Sequence, residues 1–276
     1  MLPSANDNET TMVVKIVPVN GRALVNAQPQ MKHIDMLAEI IISSELSKLS
    51  STSNRELEAS AAASKASAGL TTTGEDNNQD TVTDFRAPGF LSVLGCYLTE
   101  GRYPNDLLAK WDDYHQEKVS ENDRPDESLF GHDDHDQQFV VLELKNSGRD
   151  LEGATLTNAS QGLAIFQQVA HALAIAEKLL QFEHRDLHWG NVLIQPCTDK
   201  VVAYSHGSEK FQVDTHGIRA TIIDFSLSRI SLPNEEEEDV IYNNLTEDPD
   251  LFTSEGDYQF DVYRYVHIFW YNIFHS

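Results

Sequence analysis

Two rhythms of apolar positions run along the chain. Met12 to Val19 reads Met-Val-Val-Lys-Ile-Val-Pro-Val, a β-branched run of strand length with Lys15 in its middle. A lysine there ordinarily faces solvent, so it gains meaning only with a partner. Residues 31–49 place Ile34, Leu37 and Ile41 at i, i+3 and i+7, which predicts a helix with that stripe inward. Glu39 lies between two of these apolar positions, close enough to the buried face to reach inward. Phe90 to Leu98 and Phe139 to Leu144 again read as strands, the second breaking at Asn146-Ser147-Gly148. Leu163, Phe166, Val169, Leu173, Ala176 and Leu180 then step by three or four, predicting a long helix that Asn158 or Ser160 caps.

Between these elements the composition shifts. Residues 50–84 are rich in Ser, Thr, Ala, Asn and Gly, and read as a flexible, partly helical insertion. Asp112 to Gln138 is acidic and contains Gly-His-Asp-Asp-His-Asp-Gln-Gln from Gly131; its spacing matches no ligand template, so a solvated loop is the reading. There is no internal repeat.

A length of 276 residues allows one large domain or two small ones, and 40% hydrophobic residues are enough for a core. The 20 Lys and Arg against 44 Asp and Glu give a formal charge of −24. That field repels phosphate backbones and anionic lipid, arguing against nucleic acid and membrane surfaces, and it favours a basic partner. Cys96 and Cys197 form no CxxC, which suggests a reducing, intracellular setting. The first ten residues carry no secretory signal, and Val266 to Phe274 is too short to span a bilayer.

The chemistry concentrates in Phe182 to Ile194. His184-Arg185-Asp186-Leu187 followed by Asn191 has the spacing of a protein-kinase catalytic loop. An Asp must accept or orient a substrate hydroxyl's proton, and an Asn five residues on must turn back to hold a magnesium ion against phosphates. The strand Val192-Leu193-Ile194 would anchor the loop. Downstream, the strand Ala220 to Ile223 runs into Asp224-Phe225-Ser226, where the kinase triplet is Asp-Phe-Gly. The metal-binding Asp is present, and Ser226 in place of Gly reduces backbone freedom, which suggests a less mobile activation segment. Lys15 and Glu39, 24 residues apart, then fit the pair in which a strand lysine meets the α- and β-phosphates and a helix glutamate holds its ammonium.

With these motifs in place, the chain resembles the haspin family of atypical Ser/Thr kinases. The resemblance rests on FEHRDLHWGNVLI at 182–194, VVKIVPV, AEIIISSELSKLS, NDRPD at 122–126, TIIDFSLSR at 221–229 and DLFTSEGDYQFDVYR at 250–264. It implies an α+β, bilobal protein-kinase-like fold, with a small β-rich lobe carrying one main helix and a larger helical lobe. The partial small lobe would be residues 1–144 with its insertion at 50–84, the hinge 145–148, and the partial large lobe 149–276. The resemblance implies ATP and Mg2+ as cofactors, with Asn191 and Asp224 holding metal. Leu144 would back the adenine pocket, the backbone of Lys145 and Ser147 would hydrogen-bond adenine, and Asp150 would sit at the pocket lip. Asp150, Asp248 and Asp250 would receive the basic tail of histone H-three, placing its threonine for phosphorylation in mitosis. Asp261 would brace the catalytic loop from a buried helix. Residence in the nucleus on chromosomes, with the cytoplasm as alternative, and a monomeric state follow from the same resemblance. The hinge KNSGRDL departs from the family.

Only 14 residues precede Lys15, no GxGxxG occurs, and the chain stops soon after Asp261. We therefore expect a chain truncated at both ends, poorly active and aggregation-prone, with Phe269, Trp270 and Phe274 uncovered. Two alternatives stand beside the kinase reading. One is a pseudokinase or inactive fragment acting as a binding module. The other is a small-molecule phosphotransferase of the choline or aminoglycoside type, which Arg185 argues against.

Overall fold

The structure, a computed structural model, describes residues 11–50, 85–130, 137–232, 239–245, 250–253, 255, 258 and 260–265. The insertion beyond Ser50, the His/Asp cluster at 131–136, most of the acidic run 235–239, Asp248, and the apolar stretch with Phe269, Trp270 and Phe274 lie outside these residues.

The chain opens with β1 (Met12–Val19), the small hairpin β2 (Leu24–Val25) and β3 (Gln28–Pro29), a 3₁₀ turn His33–Met36, and α1 (Leu37–Ser50). Next come β4 (Phe85–Arg86), β5 (Val93–Glu100), α2 (Asn105–Lys118), the short α3 (Glu127–Phe130) and β6 (Gln138–Lys145). They are followed by β7 (Arg149–Asp150), α4 (Ala159–Leu180), β8 (Val192–Pro196), β9 (Val201–His206), β10 (Glu209–Asp214) and β11 (Ile218–Ile222). β12 (Arg229–Leu232), β13 (Asp239–Tyr242) and α5 (Asp250–Thr253) complete the named elements, and residues 260–265 are helical.

The mixture of strand and helix bears out an α+β domain. β1, β6 and β5 form one antiparallel sheet in that order, β10-β9-β4 a second, and β11-β8-β7 a third. The strand read from Phe90 begins instead at Val93. Phe90 is buried in an aromatic cluster with Phe182 and Phe225, forms an isolated parallel bridge to Ile222, and bonds the Ser50 hydroxyl through its backbone.

Both helical stripes are met in part: Ile41 of α1 and Val169, Leu173, Ala176 and Leu180 of α4 join or pack against the core. Ile34 and Leu37 are exposed, while Met36, Ile42 and Leu46 are buried. The cause is the 3₁₀ turn ahead of α1, whose three residues per turn put the first apolar positions out of phase with the α-helix. In α4, Asn158 caps the start by accepting the Gln161 N–H at 3.1 Å, as expected. Leu163 and Phe166 are nevertheless exposed, and Ala164, Ile165, Gln168, Ala172, Ile175 and Ala176 are buried. The helix is apolar on several faces, so periodicity alone cannot choose between them. Small residues win the face where backbone approaches closely. α4 is long and apolar enough, by length and composition, to cross a membrane; its buried face packs on β9, β10, β11 and β12.

The largest core cluster joins Ile42 and Leu46 of α1, Ala172, Ile175 and Ala176 of α4, and Phe90, Phe182, Phe225 and Ile230. Helix α2 carried no helical expectation, and its second half falls in the acidic region that begins at Asp112. Arg124, within the NDRPD segment, joins it to α3: its guanidinium donates to both Asp112 oxygens at 2.7 and 2.9 Å and also to Asp126. A hydrogen bond from Ser128, then Arg124, holds the Asp126 carboxyl down at about 2.

Candidate active site

The antiparallel pair of β8 and β11 sets the site. Their antiparallel register pairs Val192 with Ile222, so the residues just outside, Asn191 and Ile223, also face each other. The Ile223 N–H donates to the Asn191 carbonyl at 3.0 Å. Asp224 is the residue that follows this hydrogen-bonded Ile223. The spacing of two distant motifs becomes one cross-strand step. Outer-edge bonds fix the same strand from the other side: Ile222 N–H donates to the Gly89 carbonyl at 2.7 Å, and Leu91 N–H to the Ile222 carbonyl at 3.1 Å.

The catalytic-type loop is held by its own side chains. Asn191 Nδ2 donates to the Asp186 carbonyl at 2.9 Å and lies 3.4 Å from Asp186 Oδ2. The amide oxygen of Asn191 is thus turned away from the loop backbone. His184, buried, shares a 3.0 Å hydrogen bond between Nε2 and the Ile223 carbonyl. Burial pushes its imidazole pKa down, against the raising effect of that bond and of the Asp186 and Asp224 charges. Arg185 and Asp224 adopt left-handed backbone, φ +67° and +62°. Such conformations persist only where surroundings over-determine them. Here Phe225 is buried beside Phe182 and His184, and the Ser228 hydroxyl donates to the His184 carbonyl at 3.0 Å. Glu183 and Arg229 exchange both backbone hydrogen bonds at 2.9 Å, tying the segment after Asp224 to the loop.

Lys15 Nζ lies 2.8 Å from Glu39 Oε1, with side chains 42% and 13% exposed. The expected pair is therefore made. β1 carries the lysine opposite Leu142 of β6, and the first turn of α1 carries the glutamate. Ile42, three residues along α1, shares a core cluster with Phe225, so the helix bearing Glu39 is keyed to the residue following Asp224.

At the β6 end, Leu144 is half-buried against Val19, Met36, Val140 and Leu142. The Lys145 N–H donates to the Ser92 carbonyl at 2.9 Å, and the Lys145 carbonyl accepts the buried Ser147 hydroxyl at 3.4 Å. Gly148, at φ +97°, passes so close to β8 that a Cβ would meet the Ile194 carbonyl oxygen at 2.2 Å. Asp150 is exposed and its Oδ1 accepts the Gly153 N–H at 2.6 Å, closing a turn. Asp248 lies outside the described residues, and Asp250 begins α5.

Asp261 does not brace the loop in the expected way. It is half-exposed and pairs with Arg264, one helical turn along, at 2.6 Å. Tyr263, two residues on and buried, instead donates its hydroxyl to Asp186 Oδ1. The sequence signalled this only as an aromatic within DYQFDVYR. Asp186 and Tyr263 line an open cleft of about 480 Å³ with Glu152, His188, Trp189 and Tyr258. Sequence reasoning missed Gln168, whose amide bonds Ile218 and Ala220, and read Ser226 through its backbone alone, not its hydroxyl.

The donor set suits a hard divalent cation. Asn191 offers an amide oxygen and Asp224 a carboxylate, and magnesium takes one or two protein oxygens while phosphates and water complete its shell. Among the described residues no group of three or more His, Cys, Asp or Glu could hold a metal by itself.

A family model described as "Haspin like kinase domain" matches residues 3–275. Serine/threonine-protein kinase haspin of Bos taurus is 36% identical over 259 residues, covering 93% of this chain and 28% of the cattle protein. The Mus musculus protein of that name is 35% identical over 260 residues, covering 94% and 29%. A serine/threonine-protein kinase haspin homolog of Drosophila melanogaster is 34% identical over 258 residues, covering 94% and 39%. The chain thus spans less than two fifths of the length of each of these relatives.

Proposed function

This chain belongs to the haspin-like kinase family, and on that premise we propose that it transfers the γ-phosphoryl group of ATP to a Ser or Thr hydroxyl. The observation that supports the reading is the Ile223 to Asn191 backbone hydrogen bond, which ties the residue preceding Asp224 to Asn191, with Asp186 bonded to the same asparagine. In this reading residues 1–144 and 149–276 are two lobes joined by the hinge 145–148, with the nucleotide between them. Lys15, held by Glu39, binds the α- and β-phosphates. Asn191 and Asp224 would hold Mg2+, which would supply charge neutralisation at the phosphates. Asp186 orients the attacking hydroxyl. Leu144 backs the adenine, the Lys145 carbonyl and Ser147 N–H bond its edge, and Asp150 sits at the lip.

The substrate we propose is the basic tail of histone H-three, phosphorylated at a threonine in mitosis, on chromosomes in the nucleus. The charge of −24 supports a cationic peptide, and Asp150, Asp248 and Asp250 are its proposed contacts. A second reading, a nucleotide-binding module without transfer, draws on the Tyr263 hydroxyl bonded to Asp186, because that donor takes a position a substrate hydroxyl would need.

Purified chain incubated with ATP, Mg2+ and an array of basic and acidic peptides tests this. Labelling of the histone tail peptide that disappears in Asp186→Asn is expected. Labelling of choline or aminoglycosides and no peptide, or nucleotide binding with no transfer, would overturn it.

A further inference from the structure

The third residue of the Asp224-Phe225-Ser226 triplet does more than restrict the backbone. The Ser226 hydroxyl donates to Asp224 Oδ1 at 2.8 Å, and the Ser226 N–H lies 3.3 Å from the same oxygen. Both donors fall on Oδ1, so the turn fixes the carboxylate's rotation and directs Oδ2 away from Ser226. The turn is itself held from outside, because Asn243 Nδ2 donates to the Ser226 carbonyl at 2.8 Å. On its other side Phe225 is buried in the core. A glycine or alanine at 226 could supply the N–H but not the hydroxyl, leaving the exposed carboxylate free to turn about χ1.

We propose that Ser226 is a positioning residue for the metal-holding carboxylate of Asp224, acting through its hydroxyl. The inference rests on the kinase reading of Asp224. Two effects compete at Oδ1. The hydroxyl draws charge from the carboxylate, which weakens it as a ligand, and it removes rotational freedom, which strengthens it. The first is small because a single hydrogen bond leaves Oδ2 fully able to coordinate. The second acts on every binding event, and residues that orient a ligand are worth about 10–100-fold in metal affinity.

The test uses the full chain and a fluorescent ATP analogue, titrated with MgCl2 and separately with EDTA. In Ser226→Ala and Ser226→Gly the Mg2+ concentration giving half-maximal nucleotide binding rises about tenfold, binding in EDTA is unchanged, and thermal melting stays within 2 °C or so of the parent. Ser226→Thr, which keeps the hydroxyl, restores the parent value within about twofold. Parent-like Mg2+ dependence in Ser226→Ala, tighter metal binding, or a loss equally large in EDTA would overturn the proposal. Asp224→Asn separates the two levels. If it abolishes the Mg2+ dependence while Ser226→Ala leaves it intact, the positioning role fails alone. If the parent shows no Mg2+ dependence, the kinase reading of Asp224 fails and the positioning role falls with it.

Discussion

Gln168 is buried in the middle of α4, 1% exposed, and its amide substitutes for a missing neighbouring strand. Nε2 donates to the Ile218 carbonyl at 3.0 Å, and Oε1 accepts the Ala220 N–H at 3.1 Å. These two groups lie on the edge of β11 that β8 does not cover. The same edge is completed by Gly89 and Leu91 at Ile222. Gln168→Met keeps the length of the side chain and removes both partners. Each buried backbone group left unpaired costs about 1–3 kcal/mol. The thioether is cheaper to bury than the amide, which offsets part of this, so we expect a net loss of about 2–4 kcal/mol. Urea unfolding followed by far-UV circular dichroism measures it. With a slope of about 3 kcal/mol/M, the midpoint falls by about 1 M and the slope stays constant. Because β11 ends at Ile222, two residues before Asp224, Mg2+-dependent nucleotide binding should weaken in the same variant below its unfolding transition. A midpoint within about 0.2 M of the parent would refute the argument that this edge depends on a side chain for its hydrogen bonds.

Three other outcomes follow from the geometry. Lys15→Met removes the ammonium that Glu39 holds at 2.8 Å and should lower peptide phosphorylation at saturating ATP about 10²-fold; steady-state labelling checks this, and an unchanged rate would remove Lys15 from the phosphate-binding role. Gly148→Ala drives a Cβ onto the Ile194 carbonyl at a positive φ and should cost about 2–3 kcal/mol, read as a lowered urea midpoint; a midpoint equal to the parent would mean the hinge relaxes freely. His184 has its pKa lowered chiefly by burial, so the unfolded chain binds the proton more readily. Its contribution to stability is therefore intact above the unfolded value and declines as pH falls below about 6.5. Comparing midpoints from pH 7.5 to 5, His184→Asn should decline less than the parent, and parallel curves would contradict the assignment.

How far the sequence could be read depended on how local the signal was. The kinase-type loop motif, the triplet at Asp224 and the Lys15–Glu39 pair were legible because short motifs and their order along the chain carry them, and Lys15 and Glu39 fall on the strand and helix expected. The buried faces of α1 and α4 were legible only in part. At α1 a 3₁₀ turn shifted the phase, and at α4 more than one face is apolar, so only the neighbouring strands decide which is covered. Gln168 was hidden for the same reason. A polar residue in an apolar helix reads as solvent-facing until the strand edge it completes is known. Tyr263 reaches Asp186 from 77 residues away, and no spacing rule connects them.

Two backbone positions in the site, Arg185 and Asp224, stand in left-handed conformations, each costing about 1–3 kcal/mol for a non-glycine residue. The strained positions are Asp224 itself and Arg185, which adjoins Asp186, and part of what opposes the strain at Asp224 is apolar. Phe225 buries its ring against Phe90, Phe182 and His184 immediately after Asp224, an amount of burial worth about 2–3 kcal/mol. It offsets the adjacent left-handed turn while leaving the carboxylate outside. α1 packs on the same cluster through Ile42 and Leu46, so the helix that carries Glu39 gains its footing from the residue that anchors Asp224. The ion pair and the metal-type ligands are therefore not independent features. Loosening Phe225 should disturb both, since one hydrophobic cluster holds the helix on one side and the strained turn on the other.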